Sequence, residues 1–295
     1  MRITNKMISN NIGRNLHRGL DRVSQLHQQL STGKRISLPH EDPVSIRKAL
    51  GLNSNLTEIQ QYTRNVDQGL AWLTATETSI SQVVDSLHKV QELATKAANG
   101  TQTPDELEKI KSEVDQIYQH IYNLSQTQYD GKYVFSGTET LTAPYTMNPA
   151  TDAADPYQGD TGKVEYEISK GVKMPVNVIG KDLFDSVFSA IDNLRGNLAN
   201  GDQQGIRGTD IGKLQGALEG TLNIQAKVGA MSNRLDLAKQ RLGADKINIT
   251  KLVSETEDVD IAETLMNLGM QESVYRAALG SAARVIQPSL LDFLR

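Results

Sequence analysis

LNSNLTEIQQYTRNVDQGLAWLTATETSISQVVDSLHKVQELATKAA, residues 52–98, returns to an apolar side chain every seven residues. Leu52, Ile59, Val66, Leu73, Ile80, Leu87 and Ala94 form one row. Leu56, Thr63, Leu70, Glu77, Val84, Gln91 and Ala98 interleave as a second, with polar interruptions at Thr63, Glu77 and Gln91. Two such rows are the a and d positions of a helix that meets a partner along a seam. Asp42-Pro43 supplies an N-cap and a first helical residue, and Asn99-Gly100 a stop. About 55 residues at 1.5 Å each make a rod of ~80 Å. Thr103-Pro104-Asp105-Glu106 restarts a helix with a capping box, and its seam reads Leu107, Ile110, Val114, Ile117, Ile121, Leu124. The short link makes residues 44–135 a long antiparallel helical hairpin.

Both flanks carry the same seam spacing. Toward the N-terminus it reads Ile8, Ile12, Leu16, Leu20, Val23, Leu26, Leu30, with Gly33 as the stop. Toward the C-terminus it reads Ile261, Leu265, Leu268, Tyr275, Leu279, Ala282, Ile286, Leu290, Phe293. Steps of three and four place these side chains on one narrow stripe that calls for a partner helix. Residues 1–43 and 254–295 thus read as two assembly arms, unordered alone because short isolated helices are marginal in water. The candidate self-assembly seams are Ile8, Ile12, Leu16, Leu20, Val23, Leu30, Ile261, Leu265, Leu268, Leu279, Ile286 and Leu290. Residues 1–35 hold seven bases and one acid, whereas residues 255–295 hold seven acids and three bases. Opposite charge of this kind either steers the arms toward each other or is simply a solvated face on each helix.

Between hairpin and C-terminal arm the character changes twice. Pro144, Pro149 and Pro156 exclude a long helix. Lys132-Tyr133-Val134-Phe135 is a strand candidate, and alternating runs at 163–168 and 172–179 around Ser169-Lys170-Gly171 read as a β-hairpin. Residues 136–182 are therefore an inserted outer β domain. Residues 183–253 return as helices of the bundle: one carries Phe184, Val187, Phe188, Ile191, Leu194 and Leu198, and a longer one runs from Asp210 to about Leu252. Asn200–Gly208 reads as a polar loop, and Ser254–Asp260 as an acidic break before the last helix. The fold class is mainly α, a coiled-coil-like bundle with paired terminal helices and a small β insertion.

Composition narrows function. Aromatic residues make up 5% of the 295, with one tryptophan, Trp72, which suits seams better than a bulky globular core. Net charge is −4, no reason to expect nucleic acid. The absence of cysteine excludes disulfides, thiolate metal sites and cysteine nucleophiles. No apolar run approaches the ~20 residues of a membrane helix. Asn5, Ser9, Asn10 and Asn11 interrupt any leader-like core, so no cleaved signal is expected. His17, His27, His40, His88 and His120 lack metal-ligand spacing, and no phosphate loop or nucleophile elbow occurs. Glu255, Glu257, Asp258 and Asp260 lack the glycine and terminal acid of a calcium loop and read as helix-end acids. No enzyme, metal or cofactor is expected.

Met1-Arg2-Ile3-Thr4 before an Asn-rich helix, Leu30-Ser31-Thr32-Gly33-Lys34-Arg35-Ile36 with Glu41-Asp42-Pro43-Val44, Asp258-Val259-Asp260-Ile261-Ala262 and Ser289-Leu290-Leu291-Asp292-Phe293-Leu294 resemble the signatures of the flagellin superfamily. Gly131-Lys132-Tyr133-Val134-Phe135-Ser136-Gly137-Thr138 is similar to the β-domain entry of its hook–filament junction members, and untypical of filament flagellin. The resemblance implies an extracellular adaptor between flagellar hook and filament, exported unfolded by the flagellar type III route. Implied partners are other copies of the chain, a neighbouring hook-associated protein, flagellin or the other junction protein, and a cytoplasmic export chaperone at the C-terminal arm; membrane insertion is not implied. The alternatives are a filament flagellin and a secreted coiled-coil type III effector or translocator.

Overall fold

The computed structural model describes residues 5–99, 102–149 and 152–286. Helix α1 spans Asn5–Thr32, α2 Pro43–Ala97 and α3 Pro104–Ser125. Three short hairpins follow: β1 (Gln128–Tyr129) with β2 (Lys132–Tyr133), β3 (Met147–Asn148) with β4 (Ala153–Ala154), and β5 (Glu165–Ser169) with β6 (Val172–Pro175), each antiparallel. Helix α4 covers Gly180–Asn200. A short α5 (Gln203–Gly205) leads through a π-helical turn (Ile206–Asp210) into α6 (Ile211–Glu257), and α7 is Ile261–Ile286. The chain is mainly helical with small β insertions, as the sequence pattern requires. It divides into a central unit, residues 59–245, and a terminal unit, residues 1–58 and 246–295.

The helix starts follow local chemistry. Asp42 accepts the Val44 and Ser45 N–H groups at 3.1 Å and opens α2. At α3 the Glu106 carboxylate accepts the Thr103 N–H at 2.8 Å and its hydroxyl at 3.0 Å.

The central unit holds the hydrophobic core. Along α2 the row Val66, Leu73, Ile80, Leu87, Ala94 is fully buried. The second row lies one residue earlier than the heptad reading places it: Gly69, Thr76, Val83, Val90 and Ala97 are buried and Glu77 is exposed. Val84 and Ala98 are buried as well, so the stripe is broader than a coiled-coil seam, as on a helix with several neighbours. Leu107, Ile110, Val114, Tyr118 and Ile121 of α3, and Leu183, Phe184, Val187, Ile191 and Leu194 of α4, join the same core.

Three expectations need correction. Residues 132–135 are not a strand throughout: β2 ends at Tyr133, the Val134 N–H still donates to the Thr127 carbonyl at 3.1 Å, and Val134 and Phe135 are buried. Phe135 meets Phe184 edge-on at 5.0 Å, and Tyr145 meets Phe188 at 5.1 Å; with Tyr118 and Tyr157 they form one aromatic cluster, while Trp72 pairs separately with Tyr129. The polar loop at 200–208 is shorter than expected. Gly201 takes φ +66 to end α4, the Asp202 carboxylate accepts the Gly205 N–H at 2.9 Å, and Ile206 is buried, so helix resumes at Gln203. Nor does the acidic stretch break the helix at Ser254; α6 continues to Glu257, with the Thr256 hydroxyl donating to the Leu252 carbonyl at 2.7 Å.

One polar network fixes the β3–β4 hairpin. The Arg195 guanidinium stacks over the Tyr118 ring at 4.6 Å, pairs with Asp115 and Asp192, and donates to the Asp152 carbonyl at 2.9 Å. Tyr118 accepts the Ala154 N–H at 2.8 Å. Burial pushes the Tyr118 phenol up to about 12, so it stays protonated at neutral pH.

Gly216 sits exposed inside α6, and a methyl group there would meet nothing within 4 Å. Gly216→Ala should stabilise the central unit by about 0.5–1 kcal/mol through reduced backbone entropy of the unfolded chain. Urea denaturation should show a higher midpoint with an unchanged slope.

Candidate assembly surface

Helices α1 and α7 lie antiparallel within the terminal unit, and their register is set where both begin to leave it. Gly33 adopts φ +68, a left-handed conformation that closes α1 and turns the chain. Its carbonyl accepts the Val259 N–H at 3.1 Å, and the Arg35 N–H donates to the Glu257 carbonyl at 2.6 Å. Lys34 and Asp258 therefore face each other as an isolated antiparallel bridge. Side chains reinforce it. The Lys34 ammonium meets one oxygen of Glu257 at 2.6 Å, and the Asn53 amide donates to the other at 2.8 Å. Arg35 donates to the Thr256 carbonyl at 3.2 Å. Glu257 is 9% exposed, so its charge is held by partners largely away from water.

The turn into α2 is tied separately. Glu41 accepts the Ser37 and Leu38 N–H groups at 3.0 and 3.1 Å, and the Gln25 amide at 3.1 Å. These backbone donors, Ser37 first, hold the Glu41 carboxyl below its ordinary value, and the hydrogen bonds to Ser45 and Val44 do the same for Asp42. At the start of α7, Asp260 caps by accepting the Glu263 N–H at 3.1 Å.

Beyond this elbow the arm helices touch along one stripe. Ile12, Leu16, Gly19, Val23, Leu26 and Leu30 are half-buried. Tyr275 lies over Gly19 so closely that a Cβ there would stand 3.2 Å from its ring. On α7, Thr264, Leu268 and Ala282 are buried and Tyr275 is half-buried. His27 approaches Glu272 at 3.6 Å. Of the other seam candidates, Leu20, Ile261, Leu265 and Leu279 are exposed. The side chains of Ile8 and Ile286, and all of Leu290, fall outside the described residues.

The sequence alone leaves both arms unordered until assembly; here their described parts are helical and paired. The elbow accounts for the difference, because it presents each helix with the other already aligned. The pairing buries little. No described side chain of α1 is buried, and the terminal unit's buried apolar residues, among those described, are Ala49, Leu268 and Ala282. Thirteen of the seventeen exposed large apolar side chains among the described residues belong to this smaller unit.

Sequence reasoning missed two things here. Glu257 is the hub of the elbow and not merely a helix-end acid; no local spacing marks it, since its partners are remote in sequence. Met266, Met270 and Val274, 56–70% exposed, stand at i+4 steps on a separate face of α7, roughly 95–175° round from its buried stripe. That second apolar row was visible in the spacing, but the stronger row beside it had already explained the helix.

A helical body whose two chain ends pair as amphipathic helices with apolar faces left over has the architecture of flagellar axial subunits. Residues 3–140 match the bacterial flagellin N-terminal helical region, and residues 211–294 the bacterial flagellin C-terminal helical region. The chain belongs to the flagellin superfamily. It is 25% identical to flagellar hook-associated protein 3 of Escherichia coli K12 over 85% of this chain and 86% of that protein. It is 30% identical to flagellin of Salmonella muenchen, over 45% of this chain and 27% of that protein. A flagellar hook-associated protein from Vibrio parahaemolyticus shares the fold, with TM-score 0.67 and 23% identity, over 74% of this chain and 100% of that one.

Replacing Glu257 with Ala should free Lys34 and Asn53 and weaken the elbow by about 1–2 kcal/mol, allowing for the half-exposed lysine. Hydrogen exchange at the Arg35 and Val259 amides should then accelerate at least about fivefold. Acid should loosen the neighbouring turn. Both Glu41 and Asp42 titrate below their ordinary values when folded, so their contribution is present at neutral pH and is lost as pH falls through those lowered values. The Ser37, Leu38, Val44 and Ser45 amide resonances should move together below about pH 4 in an NMR titration.

Proposed function

We propose that the chain is a structural adaptor joining the flagellar hook to the flagellin filament, with no enzymatic role, assembled through its terminal helices. The observation that carries the reading is the burial deficit of the terminal unit: helices of 28 and 26 residues pair with each other yet leave apolar rows on α7 uncovered. Fully burying one such side chain is worth about 1.5–3 kcal/mol, so covering Ile261, Leu265, Met266, Met270 and Val274 offers on the order of 10 kcal/mol before the costs of association. Neighbouring subunits of a tube are the natural cover. Contacts between unlike faces extend a lattice, whereas a two-fold contact would close a dimer.

The match over most of hook-associated protein 3, against a quarter of flagellin's length, favours the junction role over that of a filament subunit. The partners in this reading are further copies of the chain, a hook-associated protein on the hook side, and flagellin or the other junction protein on the filament side. The chain leaves the cell by the flagellar type III route and works outside it. Before export, a cytoplasmic chaperone covers the C-terminal arm, where the uncovered rows of α7 would otherwise promote aggregation. Among the described residues no helix is long and apolar enough to cross a membrane.

Leu16→Asp with Leu20→Asp, or Met270→Asp with Val274→Asp, should leave the thermal transition of the central unit unchanged and abolish incorporation into flagella, scored by immunolabelling and motility. Normal incorporation of both double variants would refute the reading. Polymerisation of the purified chain into long filaments, without hook or other proteins, would instead mark a filament flagellin.

A further inference from the structure

The chain has no cysteine, so a mild oxidant that attacks sulfur meets methionine alone. The methionines with described side chains are not equivalent. Met174 is buried, and Met147 and Met231 are half-buried, all three in the central unit. Met7 on α1, at 57%, and Met266 and Met270 on α7, at 70% and 58%, are exposed. The last two stand one helical turn apart, so their side chains are neighbours on one face. Nothing long screens them: Ala262, Gly269 and Ser273 flank them, and a Cβ at Gly269 would meet nothing within 4 Å.

These two methionines belong to the apolar row that α7 offers to a neighbouring subunit, and its apolar character is what makes covering it favourable. A peroxide changes that character. The sulfur lone pair attacks one oxygen of hydrogen peroxide, an S–O bond forms and the O–O bond breaks. The second oxygen departs with the first oxygen's proton as water, so sulfur is oxidised by two electrons and the peroxide is reduced by two. The product sulfoxide is polar. Pressed under an apolar neighbour without a donor, it carries the penalty of an unsatisfied buried polar group. In the free subunit it stays hydrated. The stripe that pairs α7 with α1, through Leu268, Tyr275 and Ala282, lies on a different face and is untouched.

We propose that Met266 and Met270 are an oxidation switch on assembly: peroxide converts them to sulfoxides in the free subunit, which keeps its fold and no longer incorporates. The switch rests on the assembly reading above and adds a chemical condition to it. The row is reactive while uncovered and is shielded once a neighbour covers it.

Purified full-length chain treated with hydrogen peroxide and mapped by mass spectrometry should form sulfoxide at Met266 and Met270 at least about tenfold faster than at buried Met174, with the thermal transition of the central unit unchanged. Cells then carry either the natural chain or Met266→Leu with Met270→Leu as sole copy, and regrow sheared flagella with and without sublethal peroxide. Incorporation with peroxide, scored by immunolabelling, is divided by the same chain's incorporation without it. That ratio should fall at least about fivefold for the natural chain and less than about twofold for the leucine chain. Met7 is present in both chains, so its oxidation and any damage to other proteins cancel in the comparison. Met266→Gln with Met270→Gln, a polar stand-in for the sulfoxide, should incorporate at least about fivefold less than the leucine chain without any peroxide. Should the glutamine chain fail to fold, the peroxide ratios decide alone. Slow oxidation at 266 and 270, a natural chain indifferent to peroxide, equal ratios for the two chains, a leucine chain that never incorporates, or a folded glutamine chain that incorporates as well as the leucine chain overturns the switch and leaves adaptor assembly intact. If the natural chain itself never enters flagella, both readings fall.

Discussion

The bond between Lys34 and Glu257 is the constraint on which the terminal unit depends. Alone, a half-exposed lysine and a carboxylate are a modest pair. Here the same carboxylate also takes the Asn53 amide, its backbone carbonyl takes the Arg35 N–H, and the Gly33 carbonyl takes the Val259 N–H. Three segments, the end of α1, the start of α2 and the end of α6, are thus tied at one point. Because hydrogen bonds have fixed lengths and the bridge has a fixed register, that point decides which residue of α7 faces which residue of α1. Tyr275 over Gly19 and Glu272 near His27 follow from it.

The two units divide stability and recognition between them. The central unit buries leucines, valines and aromatic rings in a single core and seals its β3–β4 hairpin with Arg195 and Tyr118. The terminal unit has almost no core and keeps its apolar side chains on the surface. If the chain is the adaptor proposed above, single before export and assembled after it, it gains from this split. Its body has a core of its own, while the exposed apolar side chains of its ends retain free energy that a partner's contact would release. A terminal unit that satisfied its own seams would have nothing left to offer a partner.

Much of this was legible in the sequence, because the determinants are local. The heptads of α2 declare a long helix; Asp42 marks its start, and Thr103 and Gly33 mark ends of its neighbours, with side chains and conformations that act within three residues. What was missed depends on contacts remote in sequence. A heptad cannot say whether one helix or several will cover it, so the second buried row was displaced from Glu77 to Thr76. Residues 132–135 read as strand by residue type, yet Phe135 serves the aromatic cluster. Glu257 looked like dipole compensation because nothing near it in sequence reveals Lys34 or Asn53. The row Met266, Met270, Val274 was legible in principle, but a helix with one good apolar face does not advertise a second.

The Lys34–Glu257 contact spans 223 residues, about three-quarters of the chain. Closing a loop of that size costs more conformational entropy than closing any hairpin of the central unit, and non-local contacts of this kind slow folding. The body can therefore consolidate before the ends meet. Such a late-closing latch sets a kinetic order, in which the local elements form ahead of the contact that joins the two ends.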